Sequence, residues 1–186
     1  MIHVVGLGGV GFWLATALVR SVAPGGVTCW DDDNLTGGLG HRRLPAAKPE
    51  TMKTALLRGF LLVSMGDIPP AFNNARFTGK EAAAGDIVVD CTDMPLIRRR
   101  LMWGRARKAG AKIIRVSYDG LNSIVVVSCG LPMMGVAGKG GYGEVPSLAL
   151  SLAAGGIGGE IVRIWAEKPE KFVETQVSLK EVAWQA

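Results

Sequence analysis

The feature that most constrains this chain is Gly6-Leu7-Gly8-Gly9-Val10-Gly11, set between the apolar run Ile2–Val5 and an apolar stretch over residues 12–22. A short buried-strand run, a glycine turn and a helix-length apolar stretch read as strand, turn and packed helix. Glycines at this spacing let the backbone turn tightly and let a phosphate or ribose approach the helix N-terminus. Free N–H groups and the helix dipole favour negative charge there. Asp31 lies 20 residues beyond Gly11, at the end of a second strand run, Val27–Trp30. A carboxylate at that position can accept hydrogen bonds from ribose hydroxyls. A glycine bend needed only to pack helix on sheet is the other reading, and the matching aspartate favours the nucleotide site over it. The sequence has no GxxxxGK[ST] loop, which argues against a P-loop NTPase.

Two strands joined by a helix imply a right-handed crossover and parallel pairing. The 186 residues suit one domain, residues 1–186, with enough chain for a single core. Hydrophobic residues at 48% and charged residues at 20% exclude a disordered chain or a coiled coil, and the 26 glycines show no collagen period. Further along, a long surface loop is expected over residues 34–50, a helix from about 49 to 65, and a short edge segment near 75–78. A strand over 86–90 ends at Cys91-Thr92-Asp93, and Pro95 sits near the start of a basic helix reaching residue 109. Strands at 113–116 and 123–128 follow with no helix between them, so the sheet becomes mixed. A second glycine-rich loop (130–146), an apolar helix (147–167) and a last strand near 172–177 complete the chain. The expectation is an α/β, Rossmann-like three-layer fold with a parallel N-terminal half and a mixed sheet continuing to the C-terminus.

Net charge is +5 and the pI about 9.3, which favours encounter with anions. Much of the excess sits in Arg98, Arg99, Arg100, Arg105, Arg107, Lys108 and Lys112. At helical spacing and without an aromatic ladder these read as a solvated helix face more than a nucleic-acid stripe. Cys29, Cys91 and Cys129 form no CxxC pair, so neither zinc nor a redox dithiol is expected. Cys29 and Cys91 fall in or beside strands and read as buried core thiols. The first twenty residues lack a cationic leader and are cut by glycines, and no stretch reads as a membrane helix. A reduced, cytoplasmic protein is expected.

The chemistry around the phosphates separates adenylate formation from hydride transfer. Arg42, Arg43, Lys48 and Lys53 follow the second strand. In-line attack on an α-phosphate needs cations on the pyrophosphate leaving group and usually a metal-binding carboxylate, whereas hydride transfer needs little of this. Asp93, just past a strand C-terminus, is placed to be that carboxylate, and it is also placed to cap the helix after Pro95. The loop cations have ordinary solvated charge as their alternative.

This arrangement resembles the ThiF/MoeB family, the ubiquitin-activating-enzyme-like adenylyltransferases. The resemblance rests on the glycine turn at 6–11, Asp31-Asp32-Asp33 followed by Arg42, Lys53, and Asp90-Cys91-Thr92-Asp93 followed by Arg98, and it covers roughly the first 115 residues. Residues 146–160 look like the family's late glycine-rich helix. It implies that Gly6, Gly8, Gly9 and Gly11 cradle ATP and that Asp31 holds the ribose. It further implies that Arg42 and Lys53 hold phosphates, that Asp93 binds Mg2+, and that Asp33 supplies the second acid of the strand-end motif. The implied reaction is attack by the C-terminal carboxylate of a ubiquitin-like or sulfur-carrier protein on the α-phosphate, giving an acyl-adenylate and pyrophosphate. Family members commonly act as dimers, so a homodimer or heterodimer is expected, with no membrane or nucleic-acid partner.

The sequence departs from the family pattern at several points. The family's loop asparagine is absent, its Arg-Gln is Arg42-Arg43, and the residue after Asp93 is Met94. The chain begins at its first strand, without the helix that lends an arginine to a neighbouring subunit. No module for a catalytic cysteine is present, so activation is expected to stop at the adenylate. A catalytically degenerate nucleotide- or partner-binding subunit is therefore a second reading, and a nicotinamide-dependent oxidoreductase, resting on the glycine turn and Asp31 alone, is a third.

Overall fold

The computed structural model describes residues 1–22, 26–35, 44–45, 50–65, 71–119, 124–129, 148–168 and 175–178. Strand β1 (Ile2–Val5) leads through the glycine turn into helix α1 (Gly9–Ser21) and returns along β2 (Val27–Trp30). Helix α2 (Lys53–Met65) and edge strand β3 (Ala71–Asn73) follow, then β4 (Ile87–Asp90), α3 (Leu96–Lys108) and β5 (Lys112–Asp119). Strand β6 (Ile124–Cys129), helix α4 (Leu148–Glu167) and β7 (Thr175–Ser178) complete the elements. They build one seven-stranded sheet in the order β3-β2-β1-β4-β5-β6-β7. The first five are parallel, whereas β6 pairs antiparallel with β5 and with β7. The expected parallel half with a mixed continuation is what the fold contains.

Strand alternation sorts side chains into two cores. Ile2, Val4, Cys29, Val89 and Ile114 pack under α1, α2 and α4, whereas Val5, Val88 and Ile113 pack under α3 with Met102 and Ala106. Three layers result because both faces of a parallel sheet are apolar and each must be covered. α1 and α4 approach closely through α4's glycines. A Cβ on Gly155 would stand 2.5 Å from Trp13 Cβ, and one on Gly159 would stand 2.9 Å from Ala17 Cβ. By length and composition α4 also passes as a membrane span, but its buried face, including Ala154, Val162 and Trp165, lies in the core.

Several boundaries differ from expectation. α1 starts inside the glycine turn, at Gly9, with Gly8 as its N-cap. α2 starts at Lys53 because the preceding residues are held as extended chain. Leu35 N–H donates to the Thr51 carbonyl at 2.8 Å, Asn34 bridges Met52, and Glu50 has φ 69°. The edge strand is Ala71–Asn73, and the expected segment near 75–78 is not a strand. Phe77 drops into the α3-side core there, Thr78 N–H and Oγ1 both donate to Glu81, and Gly79 takes φ 86° against the Met102 carbonyl. α3 ends in a Schellman arrangement: Gly110, at φ 87°, donates to Arg107 O, and Ala111 donates to Ala106 O.

Candidate functional site

The ends of β1, β2 and β4 open on one cavity of about 830 Å3, the place where parallel α/β sheets hold ligands. Gly6, Gly8 and Gly9 floor it, so the first-turn N–H groups of α1, which have no acceptor within the helix, lie at its base. The glycines play different parts. Gly6 has φ 86°, and a Cβ there would stand 2.9 Å from Thr92 Cγ2. A Cβ on Gly11 would fall 1.8 Å from the Gly6 carbonyl oxygen, so that position is closed by the turn itself. A Cβ on Gly8 would meet nothing within 4 Å, because Gly8 faces the open cavity.

Asp31 is buried at the end of β2 and knits the turn together. Its carboxylate accepts from Leu7 N–H at 2.5 Å and from Asp33 N–H at 2.8 Å. Burial pushes the Asp31 carboxyl above its ordinary value, against the opposing pull of Lys53 and of the two backbone donors. Lys53, the first residue of α2, reaches Asp33 at 3.0 Å and Asp31 at 3.6 Å. The extended bridge before α2 sets this up, with Lys53 N–H donating to the Asp33 carbonyl. Burial works to lower the Lys53 ammonium, but the carboxylates of Asp31, Asp33 and Asp93 outweigh it and leave the group above its ordinary value. Lys53 is therefore a firmly charged cation at the cavity wall.

Asp93 is exposed and lines the same cavity. The expected alternative of a helix cap is not what its side chain does: Pro95 is the N-cap of α3, which has no side-chain capping bond. The structure thus brings Gly6, Gly8, Gly9, Asp31, Asp33, Lys53 and Asp93 to one cavity, with Gly11 just behind the turn. Arg42 and Arg43 lie outside the described residues, as do Lys48 and the loop at 130–146, whereas Cys129 is the last residue of β6. Cys29 is fully buried, and burial pushes its thiol up to about 12; burial likewise raises Cys91, which touches the cavity. Cys29 is the buried core thiol expected of it, whereas Cys91 is only partly buried and packs against the core from the cavity side.

Mg2+ takes oxygen ligands, usually one or two carboxylates together with substrate phosphates. Among the described acids, Asp31, Asp32 and Asp33 form a cluster, but each already has a partner: Leu7 N–H and Asp33 N–H, Arg76, and Lys53 respectively. Asp93 offers the same carboxylate oxygens exposed on the cavity wall, and fits the ion better for that reason.

Sequence reasoning missed three features. Trp30 and Phe77 form part of the cavity wall and pack edge to face with ring centroids 5.3 Å apart; Phe77 arrives from a segment read as an edge strand. Leu35 and Leu44, inside what looked like a surface loop, are buried core residues that also line the cavity. Arg115, read as one residue of an apolar strand, is buried against Asp90 at 3.1 Å. A charge interrupting an apolar strand run was the available signal for that pair.

Fold and cavity together define a Rossmann-like α/β protein with its cavity over the glycine turn. No protein family and no curated protein sequence matches the chain significantly. Solved structures do share its fold. E. coli MccB with ATP aligns with a TM-score of 0.72 at 14% identity, covering 96% of this chain and 62% of that one. The microcin C7 biosynthetic enzyme MccB in complex with N-formylated MccA aligns with a TM-score of 0.71 at 15% identity, over 96% and 61%. PaaA aligns with a TM-score of 0.66 at 13% identity, over 97% and 61%. The chain spans about three fifths of the length of these structures, and the likeness is one of fold alone.

Proposed function

We propose that this protein binds ATP with Mg2+ and adenylates the C-terminal carboxylate of a peptide or of a ubiquitin-like or sulfur-carrier protein. The observation that carries this reading is the convergence of the glycine turn, Asp31, Lys53 and Asp93 on one cavity at the strand ends. The presence of ATP and of N-formylated MccA in structures of MccB supports the nucleotide and a peptide-like partner.

In this reading the α1 N-terminus and Gly8 admit the phosphates, and Asp31, already fixed by two backbone donors, accepts from the ribose. Lys53 swings from Asp33 to the phosphates and, with Arg42, offsets charge on the departing pyrophosphate. Asp93 would hold Mg2+, which when bound would supply charge neutralisation at the phosphates. The incoming carboxylate oxygen bonds to the α-phosphorus as the bond to the bridging β-phosphate oxygen breaks, yielding acyl-adenylate and pyrophosphate. The chain's place of action in this reading is the cytoplasm, as a homodimer or heterodimer.

A second reading, a nucleotide- or partner-binding subunit without catalysis, draws on the engagement of Lys53 with its own chain's Asp31 and Asp33. Asp93→Ala separates the two. Under the first reading it abolishes magnesium-dependent ATP turnover and pyrophosphate exchange with an intact fold; wild-type protein that binds ATP but shows neither activity favours the second.

A further inference from the structure

α3 covers the sheet face opposite α1 and α4, and its 13 residues hold six Lys or Arg and no acid. The remaining 173 residues carry 15 Lys or Arg against 16 Asp or Glu, so the chain's positive excess resides in this one helix. Local helix electrostatics accounts for part of it. Arg105, Arg107 and Lys108 lie in the last turn, where the dipole favours cations. It does not account for Arg98, which sits in the first turn, where the dipole disfavours a cation, or for Arg100 just beyond. Both are exposed, and neither forms an ion pair among the described residues. Beside them Ile97 and Leu101, four residues apart and so on one helix face, are 66% and 55% exposed.

We propose that this exposed face of α3 docks an acidic protein surface carrying apolar side chains. Guanidinium groups around two aliphatic side chains match carboxylates around an apolar contact, the arrangement of a polar rim about a small hydrophobic centre. Nucleic acid fits less well. The only aromatic residue of α3, Trp103, is half-buried with its Nε1–H donated to Asp90, so none is exposed to stack on a base. A membrane fits less well too, because the wider apolar face of α3, with Met102 and Ala106, is already spent on the core. Met94 and Pro95, which line the cavity, lead directly into this face, so a docked partner sits at the cavity's edge. The inference concerns the surface alone and does not depend on the reaction in the cavity.

The test is fluorescence anisotropy of the full chain with a labelled glutamate-rich peptide bearing two leucines one helical turn apart. A DNA duplex and phosphatidylserine vesicles serve as competing probes. The expected result is peptide binding at low salt that weakens roughly tenfold in Arg100→Glu/Arg105→Glu. It also weakens severalfold in Ile97→Ser/Leu101→Ser and falls steeply as salt is raised. Both variants are expected to melt within a few degrees of wild type, because all four positions are exposed. Absence of peptide binding, binding indifferent to both double variants, or tighter binding of the duplex or the vesicles overturns the proposal.

Discussion

Asp90 and Arg115 form an ion pair sealed inside the protein, with Asp90 wholly buried and Arg115 6% exposed, joined at 3.1 Å. The Asp90 carboxylate also accepts from Trp103 Nε1 at 2.9 Å, Thr92 N–H at 2.9 Å and Thr92 Oγ1 at 2.7 Å. One carboxylate therefore ties β4, β5, α3 and the loop leading to Asp93. Removing one partner of a buried pair strands the other charge, so Arg115→Met is expected to cost about 3 kcal/mol or more in urea unfolding. Adding Asp90→Asn neutralises the stranded charge, so the double variant is expected to lose less than the sum of the single losses. Strict additivity would show that the pair is not coupled.

The glycines of the turn separate into structural and ligand-facing positions. Gly11→Ala places a Cβ 1.8 Å from the Gly6 carbonyl oxygen and is expected to destabilise the fold by about 3 kcal/mol or more. Gly8→Ala meets open space at φ −70°, which any residue adopts, so its cost is at most about 1 kcal/mol, that of a weaker N-cap. Its effect falls on nucleotide affinity instead. Thermal melts paired with ATP titrations check the contrast, and equal destabilisation by the two variants would refute it.

Asp86 carries a pH-dependent share of stability. Burial acts to raise its carboxyl, but the Ala83 N–H at 2.8 Å and His3 Nε2 at 3.0 Å outweigh that and hold it below its ordinary value. A depressed carboxyl stabilises the fold above the unfolded-state value, and that contribution is lost as pH falls through the depressed one. Asp86→Asn is expected to cost about 2 kcal/mol at neutral pH. The gap to wild type narrows once pH drops below about 4. A gap that stays constant from pH 7 to pH 3 contradicts the assignment.

Cys29 is enclosed on the inner face of β2, with its thiol pushed up to about 12. Thiolate is the reacting form, so Cys29 is expected to resist iodoacetamide in the native protein at neutral pH and to react after denaturation. Peptide mass mapping before and after unfolding reads this directly; native alkylation at Cys29 would show that the strand opens to solvent.

The fold was largely legible because its signals are local and mutually consistent. Glycine spacing, the apolar strand runs and Pro95 before α3 each act within a few residues, and they place β1, α1, β2, β4 and α3 without tertiary information. That Gly6, Gly8, Gly9, Asp31 and Asp93 line one cavity was legible for a related reason: in a parallel sheet, residues just past strand C-termini gather at one edge. Features set by distant partners were not legible. Phe77 leaves the edge-strand path because the α3-side core has a place for it, and Leu44 is buried despite its glycine- and proline-rich surroundings. Arg115 is accommodated inside a strand by Asp90, 25 residues earlier, which pairs with it. No window of sequence shows such pairings, which arise from sheet order.

The most direct test of the central claim is calorimetric titration of the chain with ATP and Mg2+, beside NADH, repeated for Asp31→Ala and Lys53→Ala. The account expects wild-type protein to bind ATP in preference to NADH, with each variant at least about tenfold weaker because each loses a charged hydrogen-bonding group at the ligand. Absence of ATP binding, preference for NADH, or full affinity in both variants would contradict it.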